Sequence, residues 1–319
     1  MILEKIDEVF MRVSDADEDV EHLLKDYFTF EVPGARYMPH YRKRLWDGKI
    51  RLFDLRSNRL YIGLMAYVKR FCHDNQINLE LKGFDDERNV IREKCRDFAT
   101  SILPASITIR DYQIDAVQHA LSRNRCFLVS PTASGKSLII YILTRYYQLL
   151  QEKKILIIVP TTSLVEQMYG DFISYGMRRD RLHKIYSGYD KDTDLPIVIS
   201  TWQSIYKQPR SYFKQFGCVI GDEAHLFKSK SLTKIMTFLT DCKYRFGFTG
   251  TLDGMEMHQL VLEGLFGNVH KVTSTKELID KGTLSQLDIN CVVLRHSKEE
   301  SKRVKKYTYA EELNYIVSH

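Results

Sequence analysis

The sequence of 319 residues predicts an α/β fold with a mostly parallel sheet, preceded by a small α+β module. Two observations support this prediction. From about residue 105, short apolar runs such as CFLVS, KILIIVP and FGCVIGD alternate with segments of helical periodicity. Continuous runs of Val, Ile, Leu and Phe are typical of parallel strands that helices cover on both faces. Before residue 83 the runs are shorter and alternate between apolar and polar residues, as half-buried strands do.

The α+β module is predicted over residues 1–82. VEHLLKDYFTFEV begins helical and ends in alternation, KIRLFDL and RLYIGL alternate like strands, and MAYVKRFCHDN returns to helical spacing. The dipeptide Asp47-Gly48 is a strong hairpin signal, so a two-residue turn is expected between PHYRKRL and IRLFDL.

Three further segments follow the module. Residues 83–104 are predicted to form a charged connector helix with little apolar face, which ends before Pro104. Residues 105–283 hold the parallel sheet. Residues 284–319 begin with a strand-like run and continue into a basic, helix-like one, which is expected to start a second lobe whose remainder is absent.

Composition restricts the class of protein. The six cysteines are scattered without a C-x-x-C pair, which disfavours a zinc site or a disulfide scaffold and fits a reducing cytosol. The acidic N-terminus has no apolar run of secretory length, and no stretch is apolar enough to span a membrane. A cytoplasmic protein is therefore expected, in the host-cell cytoplasm if the protein is viral.

The net charge of +6 is unevenly distributed. Residues 1–30 carry nine acidic side chains against three basic ones, a balance of −6, whereas residues 31–71 carry ten basic against three acidic, a balance of +7. Such a reversal is typical of a surface for a polyanion, or of a solvated surface without a partner.

The segment SPTASGKS, residues 130–137, lies between an apolar run and a helical one. In a P-loop, small residues let successive backbone N–H groups point at phosphate oxygens, with a helix N-terminus behind them. Lys136 is predicted to reach the phosphates, the Ser137 hydroxyl to bind Mg²⁺, and Gly135 to leave room beside the phosphate. The strict pattern has glycine where this chain has Ser130, so an ordinary strand–turn–helix junction is the alternative.

The segment CVIGDEAHLF, residues 218–227, places Asp222 and Glu223 at the end of a predicted strand. A Mg·ATP hydrolase needs such a pair, in which Asp222 holds the metal and Glu223 positions and deprotonates the attacking water. His225 is predicted to hydrogen-bond to a neighbouring motif and to sense the γ-phosphate. Alone, the acidic pair would be an ordinary helix N-terminus. Ligands of parallel sheets lie at the carboxyl ends of strands, so the pair and the P-loop are expected to meet.

These motifs resemble a known family. SPTASGKS, GDEAH and FGFTGTL have the order and approximate spacing of motifs I, II and III of superfamily 2 helicases. RDYQIDAV, VPTTSLVEQ and ISTWQSI look like the Q, Ia and Ib elements, so the resemblance covers residues 107–252. FTFE, RLWDGKIRLFD and GLMAYVKRFC in the module resemble the recombination helicases of T4-type bacteriophages. The resemblance implies a RecA-like lobe with a P-loop, ATP and Mg²⁺ as cofactors, and DNA as partner.

The resemblance also implies how a nucleotide would be held. Gln113 would bind the adenine edge with Arg110 as partner, although a polar residue at a helix start is the alternative. The phosphates would be held by the loop and the first helical turn, namely Pro131, Thr132, Ala133, Ser134, Gly135, Lys136 and Ser137. This chain departs from the family pattern at Ser130, Ala133 and Gly250, none of which removes a charged catalytic group. A working site is therefore predicted.

Further roles concern DNA. By the same resemblance Thr161, Thr201 and Gln203 would contact the nucleic-acid backbone, or else cap helices. Thr249 and Thr251 would couple the ATP site to the DNA track.

The segment RYMPHYRKRLWDGKIR, residues 36–51, interleaves basic residues with Tyr37, Tyr41 and Trp46. Cations neutralise phosphates, and aromatic faces stack on unpaired bases. The DNA-binding candidates are Arg42, Lys43, Arg44, Trp46 and Lys49. The alternative is that Trp46 and a tyrosine belong to the module's own core while the basic side chains are merely solvated.

The sequence thus predicts a monomeric ATP-dependent DNA helicase that acts on branched DNA or R-loops in recombination, repair or branch migration, with recombination or replication proteins as further partners. Two alternatives stay open: a duplex DNA translocase without strand separation, and a DNA-binding fragment with little activity of its own. The last is considered because the sequence has no Q-x-x-G-R-x-x-R pattern, which supplies second-lobe arginines in superfamily 2. An arginine finger contributes roughly 10³- to 10⁵-fold in rate, so this chain alone is expected to hydrolyse ATP poorly.

Overall fold

The structure is a computed structural model, and it describes residues 1–85, 88–251, 256–286, 290–291 and 297–318. The N-terminal elements are β1 (Ile2–Lys5), β2 (Phe10–Ser14), α1 (Glu18–Tyr27), β3 (Thr29–Glu31), α2 (Pro39–Arg42), β4 (Lys49–Arg51), β5 (Arg59–Tyr61), α3 (Met65–Asp74) and β6 (Glu80–Lys82). A four-stranded sheet has the order β5-β2-β1-β6, and β3 pairs with β4 in a second sheet. Strand β1 is antiparallel to β2 and parallel to β6.

The remaining helices and strands extend to the end of the described chain. They are α4 (Arg92–Ile102), α5 (Asp111–Arg123), β7 (Arg125–Val129), α6 (Lys136–Leu150), β8 (Lys154–Val159), α7 (Thr162–Ser174), β9 (Leu182–Ile185), β10 (Ile197–Thr201), α8 (Trp202–Ile205), α9 (Arg210–Phe213), β11 (Phe216–Gly221), α10 (Lys230–Phe238), β12 (Tyr244–Thr249), α11 (Glu256–Phe266), β13 (Val269–Lys271), α12 (Thr275–Asp280), α13 (Lys298–Val304) and α14 (Tyr309–Val317). Strands β7 to β13 form one seven-stranded sheet with the order β13-β7-β12-β11-β8-β10-β9. All of its pairings are parallel, which confirms the predicted fold class.

Both faces of this sheet are buried. Helices α4 to α7 supply the hydrophobic core on one face, and α8 to α11 supply it on the other. The central helix α6 is apolar nearly all round, and its residues 138–143 are all buried. Such a helix must lie inside the protein, and its first turn therefore has a fixed place above the sheet.

The module is packed directly on the lobe. Leu260 of α11 belongs to the module's hydrophobic core, together with Phe71 and other residues of α3 and the four-stranded sheet. The Glu8 carboxylate accepts a hydrogen bond from Arg125 over 3.0 Å, and the Glu8 N–H donates to the Thr240 carbonyl over 2.9 Å. An ion pair that is largely shielded from water demands good geometry, because each charge has lost much of its hydration. The two units therefore share a packed, hydrogen-bonded seam.

Several sequence expectations are changed by the structure. The hairpin predicted at Asp47-Gly48 is wrong: Pro39 starts α2 instead of continuing a strand, since proline has no N–H to donate and suits the first helical turn. Strand β4 pairs with β3, and residues 32–48 connect the two. Gly48 still turns the chain, with φ of 78°.

The connector helix is shorter than predicted and is not merely charged. It begins at Arg92, and Cys95 and Ala99 are buried against the core of the lobe. The strand predicted after residue 284 falls mostly outside the described residues. The domain boundaries at 82, 104 and 283 stay a prediction. Among the described residues, no helix is both long and apolar enough to cross a bilayer.

The seam predicts a destabilising substitution. A Cβ on Gly63 would lie 2.0 Å from the Glu263 carbonyl oxygen, so Gly63→Ala requires a shift of the backbone that joins module and lobe. We expect a loss of about 1–3 kcal/mol in the free energy of unfolding, measured by chemical denaturation.

Gly170→Ala is the matched control. Nothing lies within 4 Å of a Cβ at this exposed position of α7, so alanine should stabilise the helix by about 0.5–1 kcal/mol. Equal stability of the Gly63 variant and the wild type would contradict the close approach.

Candidate nucleotide-hydrolysis site

The carboxyl ends of β7, β12 and β11 lie next to one another in the sheet. The P-loop follows β7, Thr249 ends β12, and Asp222 and Glu223 follow β11. The Ser130 N–H donates to the Thr249 carbonyl over 2.8 Å, which joins the loop to the neighbouring strand end. The segments predicted to be motifs I, II and III therefore share one edge.

The P-loop is braced from inside by two hydroxyls. Ser130 and Ser134 are fully buried, their hydroxyl oxygens are 2.6 Å apart, and Ser134 donates to the Pro131 carbonyl over 2.6 Å. Because each hydroxyl has one proton, Ser130 is the donor to Ser134. The serine in place of the family's glycine thus supports the loop.

Two residues of the loop adopt left-handed backbone conformations. Gly135 has φ of 79° and Ala133 has φ of 63°. This conformation costs a residue with a Cβ about 1–2 kcal/mol, so the alanine carries strain that glycine would avoid. The bends turn the backbone into α6, whose first N–H groups have no carbonyl partner within the helix. Such a cradle fits a phosphate chain.

The Q-like segment supports the loop from behind. The buried Gln113 amide donates to the Ser134 carbonyl over 2.9 Å and accepts from the Arg110 N–H over 2.9 Å. The Tyr112 hydroxyl donates to the same Ser134 carbonyl over 3.0 Å and accepts from Arg110. Gln113 therefore braces the P-loop, and adenine binding by Gln113 and Arg110 stays a prediction.

The charged groups meet between β7 and β11. Lys136 Nζ lies 3.2 Å from a Glu223 carboxylate oxygen. Asp222 is buried beside them, and burial raises its pKa while the Lys136 charge opposes this. Glu223 has φ of 48°, a left-handed conformation that is costly for a residue with a side chain and is typical of functional positions.

His225 connects the acidic pair to the end of β12. Its Nδ1 lies 2.9 Å from the Thr249 hydroxyl and 3.3 Å from a Glu223 carboxylate oxygen. Thr249 donates its one hydroxyl proton to the Thr251 carbonyl over 2.9 Å, so Nδ1–H of His225 is the donor to Thr249. Glu223, His225, Thr249 and Thr251 thus form one chain of contacts, and coupling of the ATP site to DNA by Thr249 and Thr251 stays a prediction.

Ser137 contacts side chains of α7 and of the residue that follows it. Its hydroxyl lies 2.9 Å from the Tyr175 hydroxyl. The Asp171 carboxyl also faces Ser137: burial raises the pKa of Asp171, and a hydrogen bond with Ser137 lowers it by less. Burial likewise raises the pKa of Tyr175, so its hydroxyl is protonated at neutral pH.

The residues predicted to contact a nucleic-acid backbone also have local roles. Thr161 caps α7 by accepting the Leu164 N–H over 3.3 Å, and the Thr201 hydroxyl lies 2.9 Å from that of Ser204. Gln203 donates to the Pro160 carbonyl over 3.4 Å, so the Ia-like and Ib-like loops are in contact. DNA binding by these residues stays a prediction.

The basic, aromatic segment of the module surrounds an open groove. Arg36, Tyr41, Arg42, Arg44, Leu45, Trp46 and Asp47 line a space of about 810 Å³. Tyr37 is 71% exposed and Tyr41 is 40% exposed, whereas Trp46 is half-buried and donates to the Lys49 carbonyl over 2.9 Å. Trp46 is therefore partly shielded without joining the hydrophobic core of the module, and the tyrosines remain accessible. Lys43 is exposed outside the groove lining, and Lys49 lies 3.7 Å from Glu31.

Three residues of the site were not found from the sequence: Tyr112, Asp171 and Tyr175. Tyr112 stands beside Gln113 within the quoted segment RDYQIDAV, so its neighbour was a usable signal. Asp171 and Tyr175 lie in DFISYG, which has no motif, and only the packing of α7 on α6 brings them to Ser137.

Three features define the class of protein: the parallel sheet, the P-loop after β7, and the acidic pair after β11, two strands away. Together they are those of a P-loop nucleotide-hydrolase lobe of the RecA-like type found in superfamily 2 helicases. Two family models match the chain, "Type III restriction enzyme, res subunit" over residues 106–254 and "DNA helicase UvsW, N-terminal" over residues 6–82.

The relatives are more specific. The ATP-dependent DNA helicase UvsW of Enterobacteria phage T4 is 38% identical over 313 residues, which are 95% of this chain and 62% of that protein. A crystal structure of the T4 UvsW helicase superposes with a TM-score of 0.75 at 36% identity, covering 85% of this chain and 99% of that one. A second T4 UvsW structure gives a TM-score of 0.76 at 34% identity, covering 100% of this chain and 64% of the other. The chain belongs to the UvsW family of helicases.

The match to the T4 helicase is partial in one direction, because this chain spans 62% of that protein's length. A DNA 3'-5' translocase, XPB2, of Sulfurisphaera tokodaii is 26% identical over 209 residues, which are 63% of this chain and 44% of that protein.

The raised pKa of Asp222 predicts that the charge needed for metal binding lowers the stability of the folded protein. A carboxyl whose pKa is higher in the folded than in the unfolded protein loses stability as pH rises from the unfolded value, near 4, through the folded one. Asp222→Asn removes this charge, so at pH 7 the variant should be more stable than the wild type.

The measurement is the free energy of unfolding of both proteins by chemical denaturation across this pH range. The advantage of the variant should shrink as pH falls toward 4, because the wild-type carboxyl is then neutral. A gain that is independent of pH, or a loss at pH 7, would contradict the buried, destabilising charge.

Proposed function

We propose that this chain provides the ATP-hydrolysing lobe and the DNA-recognition module of a helicase that acts on branched DNA or R-loops. The observation that supports hydrolysis is the 3.2 Å contact between Lys136 of the P-loop and Glu223 of the acidic pair. This contact supports the proposal that Lys136 binds phosphate and Glu223 acts as general base in one cleft.

The donor set fits Mg·ATP. The Ser137 hydroxyl and the Asp222 carboxylate are hard oxygen ligands, which Mg²⁺ prefers, and the left-handed turns at Ala133 and Gly135 form a phosphate cradle. Bound Mg²⁺ would neutralise charge on the β- and γ-phosphates.

The protein's own groups have separable roles in this proposal. Lys136 binds the phosphates, and its charge helps to keep Asp222 ionised against the effect of burial. Glu223 orients the attacking water and takes its proton. His225 holds Glu223 in place and passes a change at the carboxylate to Thr249, and so to the end of β12.

DNA recognition is proposed for the groove of the module. Arg36, Arg42 and Arg44 line it with Trp46 and the exposed Tyr41, which gives cations for phosphates and aromatic faces for unpaired bases. The seam with the lobe supports a role in feeding DNA to the motor, because Leu260 of α11 packs inside the module.

Translocation on duplex DNA without strand separation is the second candidate, and it is favoured by the similarity to a protein named as a translocase. A strand-displacement assay and a triplex-displacement assay, run side by side, distinguish the two. Displacement of the triplex strand alone would select the translocase.

Glu223→Gln is expected to bind ATP within a few-fold of the wild type while turnover falls by about 10² to 10⁴, because the amide cannot take a proton. Binding and DNA-stimulated hydrolysis are measured separately. Glu152→Gln is the matched control, since residue 152 precedes β8 and so lies at the amino end of a strand, away from the carboxyl ends that hold the site. Undiminished hydrolysis by the Glu223 variant would refute the role of this residue.

Replacement of Arg42, Lys43 and Arg44 by alanine is expected to weaken binding to forked DNA. Loss of three phosphate contacts should lower the slope of log K against log salt by roughly 2 to 3. The control replaces Arg178, Arg179 and Arg181, which are exposed before β9 at the other edge of the sheet, with the same loss of charge. Equal slopes for the first variant and the wild type would exclude DNA binding by this basic segment of the module.

A further inference from the structure

The hydroxyl of Ser137 has a constrained environment before any metal binds. Ser137 lies in the first turn of α6, and its hydroxyl oxygen is 2.9 Å from that of Tyr175, the C-cap residue directly after α7. Asp171 lies one helical turn before Tyr175, whose N–H donates to the Asp171 carbonyl over 2.9 Å. Both side chains approach Ser137 from α7.

The aromatic ring of Tyr175 is held in this position. It packs edge-on against Tyr141, with ring centroids 5.4 Å apart, and Tyr141 packs edge-on against Phe172 over 5.3 Å. Tyr141 and Phe172 are fully buried. Tyr141 is also one turn after Ser137 on α6, so the same cluster fixes the distance between the two helices near the metal-binding candidate.

We propose that Tyr175 and Asp171 are positioning residues, which orient the Ser137 hydroxyl so that one of its lone pairs points to the Mg²⁺ of a bound nucleotide. This inference rests on the proposed function, because it assigns two supporting residues to the same site.

Proton counting supports the arrangement. The hydrogen bond with Ser137 lowers the pKa of Asp171, as donation to a carboxylate does, so the Ser137 proton points to Asp171. A tyrosine hydroxyl keeps its proton at neutral pH, since its ordinary pKa is near 10, and it donates to one of the two lone pairs of the Ser137 oxygen. The other lone pair is left for a metal. Partners of this kind fix the orientation of a ligand, and their loss typically costs about 10- to 100-fold in metal affinity.

The arrangement makes a specific prediction for binding. Without Tyr175 or Asp171 the Ser137 hydroxyl can rotate. Metal binding must then restrict this rotation, and the lost entropy weakens the binding. The increase in nucleotide affinity on addition of Mg²⁺ should therefore be smaller in the variants. Nucleotide binding without metal depends on the P-loop backbone and Lys136, so it should not change.

The test is titration of the 319-residue chain with a fluorescent ATP analogue, once with Mg²⁺ and once with EDTA. Tyr175→Phe should weaken Mg²⁺-dependent binding about 10-fold and leave binding in EDTA unchanged. Asp171→Asn should shift it in the same direction. Tyr169→Phe makes the same chemical change elsewhere on α7 and serves as the control, with thermal unfolding as the check on folding.

A double-mutant cycle separates positioning from structural damage. In the Ser137→Ala background, Tyr175→Phe should have no further effect on Mg²⁺-dependent binding, because its target is gone. Equal losses with Mg²⁺ and EDTA, additive losses in the double mutant, or an unchanged or increased Mg²⁺-dependent affinity would each overturn the inference. A wild type whose nucleotide binding is not enhanced by Mg²⁺ would instead refute the proposed function, and the inference with it.

Discussion

The site depends on one constraint of the sheet, the adjacency of β7, β12 and β11 at their carboxyl ends. Parallel pairing fixes the height of each strand end, so the loops that follow must leave the sheet side by side. The hydrogen bond from Ser130 to the Thr249 carbonyl and the contact between Lys136 and Glu223 are consequences of this register. A shift of one strand by one residue would turn its side chains to the other face and separate the charges.

The site combines local strain with tight support. Ala133 and Glu223 both have positive φ, which the surrounding structure must over-determine for the folded state to tolerate it. Around the P-loop, this support consists of the buried Ser130–Ser134 hydroxyl pair and the Gln113 amide. A loop with serine in place of the first glycine of the strict pattern can therefore hold its shape, because hydrogen bonds from beneath support it.

The module and the lobe are coupled through α11. This helix begins shortly after Thr251, carries Leu260 into the module's core, and passes Gly63 so closely that only a residue without a side chain fits. The largely shielded ion pair of Glu8 and Arg125 joins the module to the lobe at the same seam. Burial lowers the pKa of Arg125 to about 10, so the guanidinium is charged at neutral pH. The module is thus packed directly on the helix that follows the candidate coupling residues.

The amino-acid sequence by itself determined the parallel α/β fold, the P-loop with Lys136 and Ser137, and the acidic pair of Asp222 and Glu223. These features are local: apolar runs and small residues at short spacing specify strands, turns and helix starts whatever surrounds them. Other features were decided by the tertiary structure. The strand partner of β4 was mispredicted because a strong turn signal cannot identify which segment lies across from it. Tyr175 contacts Ser137 from 38 positions away in the sequence, and Gln113 hydrogen-bonds to Ser134 of the loop from 21 positions away. These contacts exist only once α5, α6 and α7 pack on the same face of the sheet.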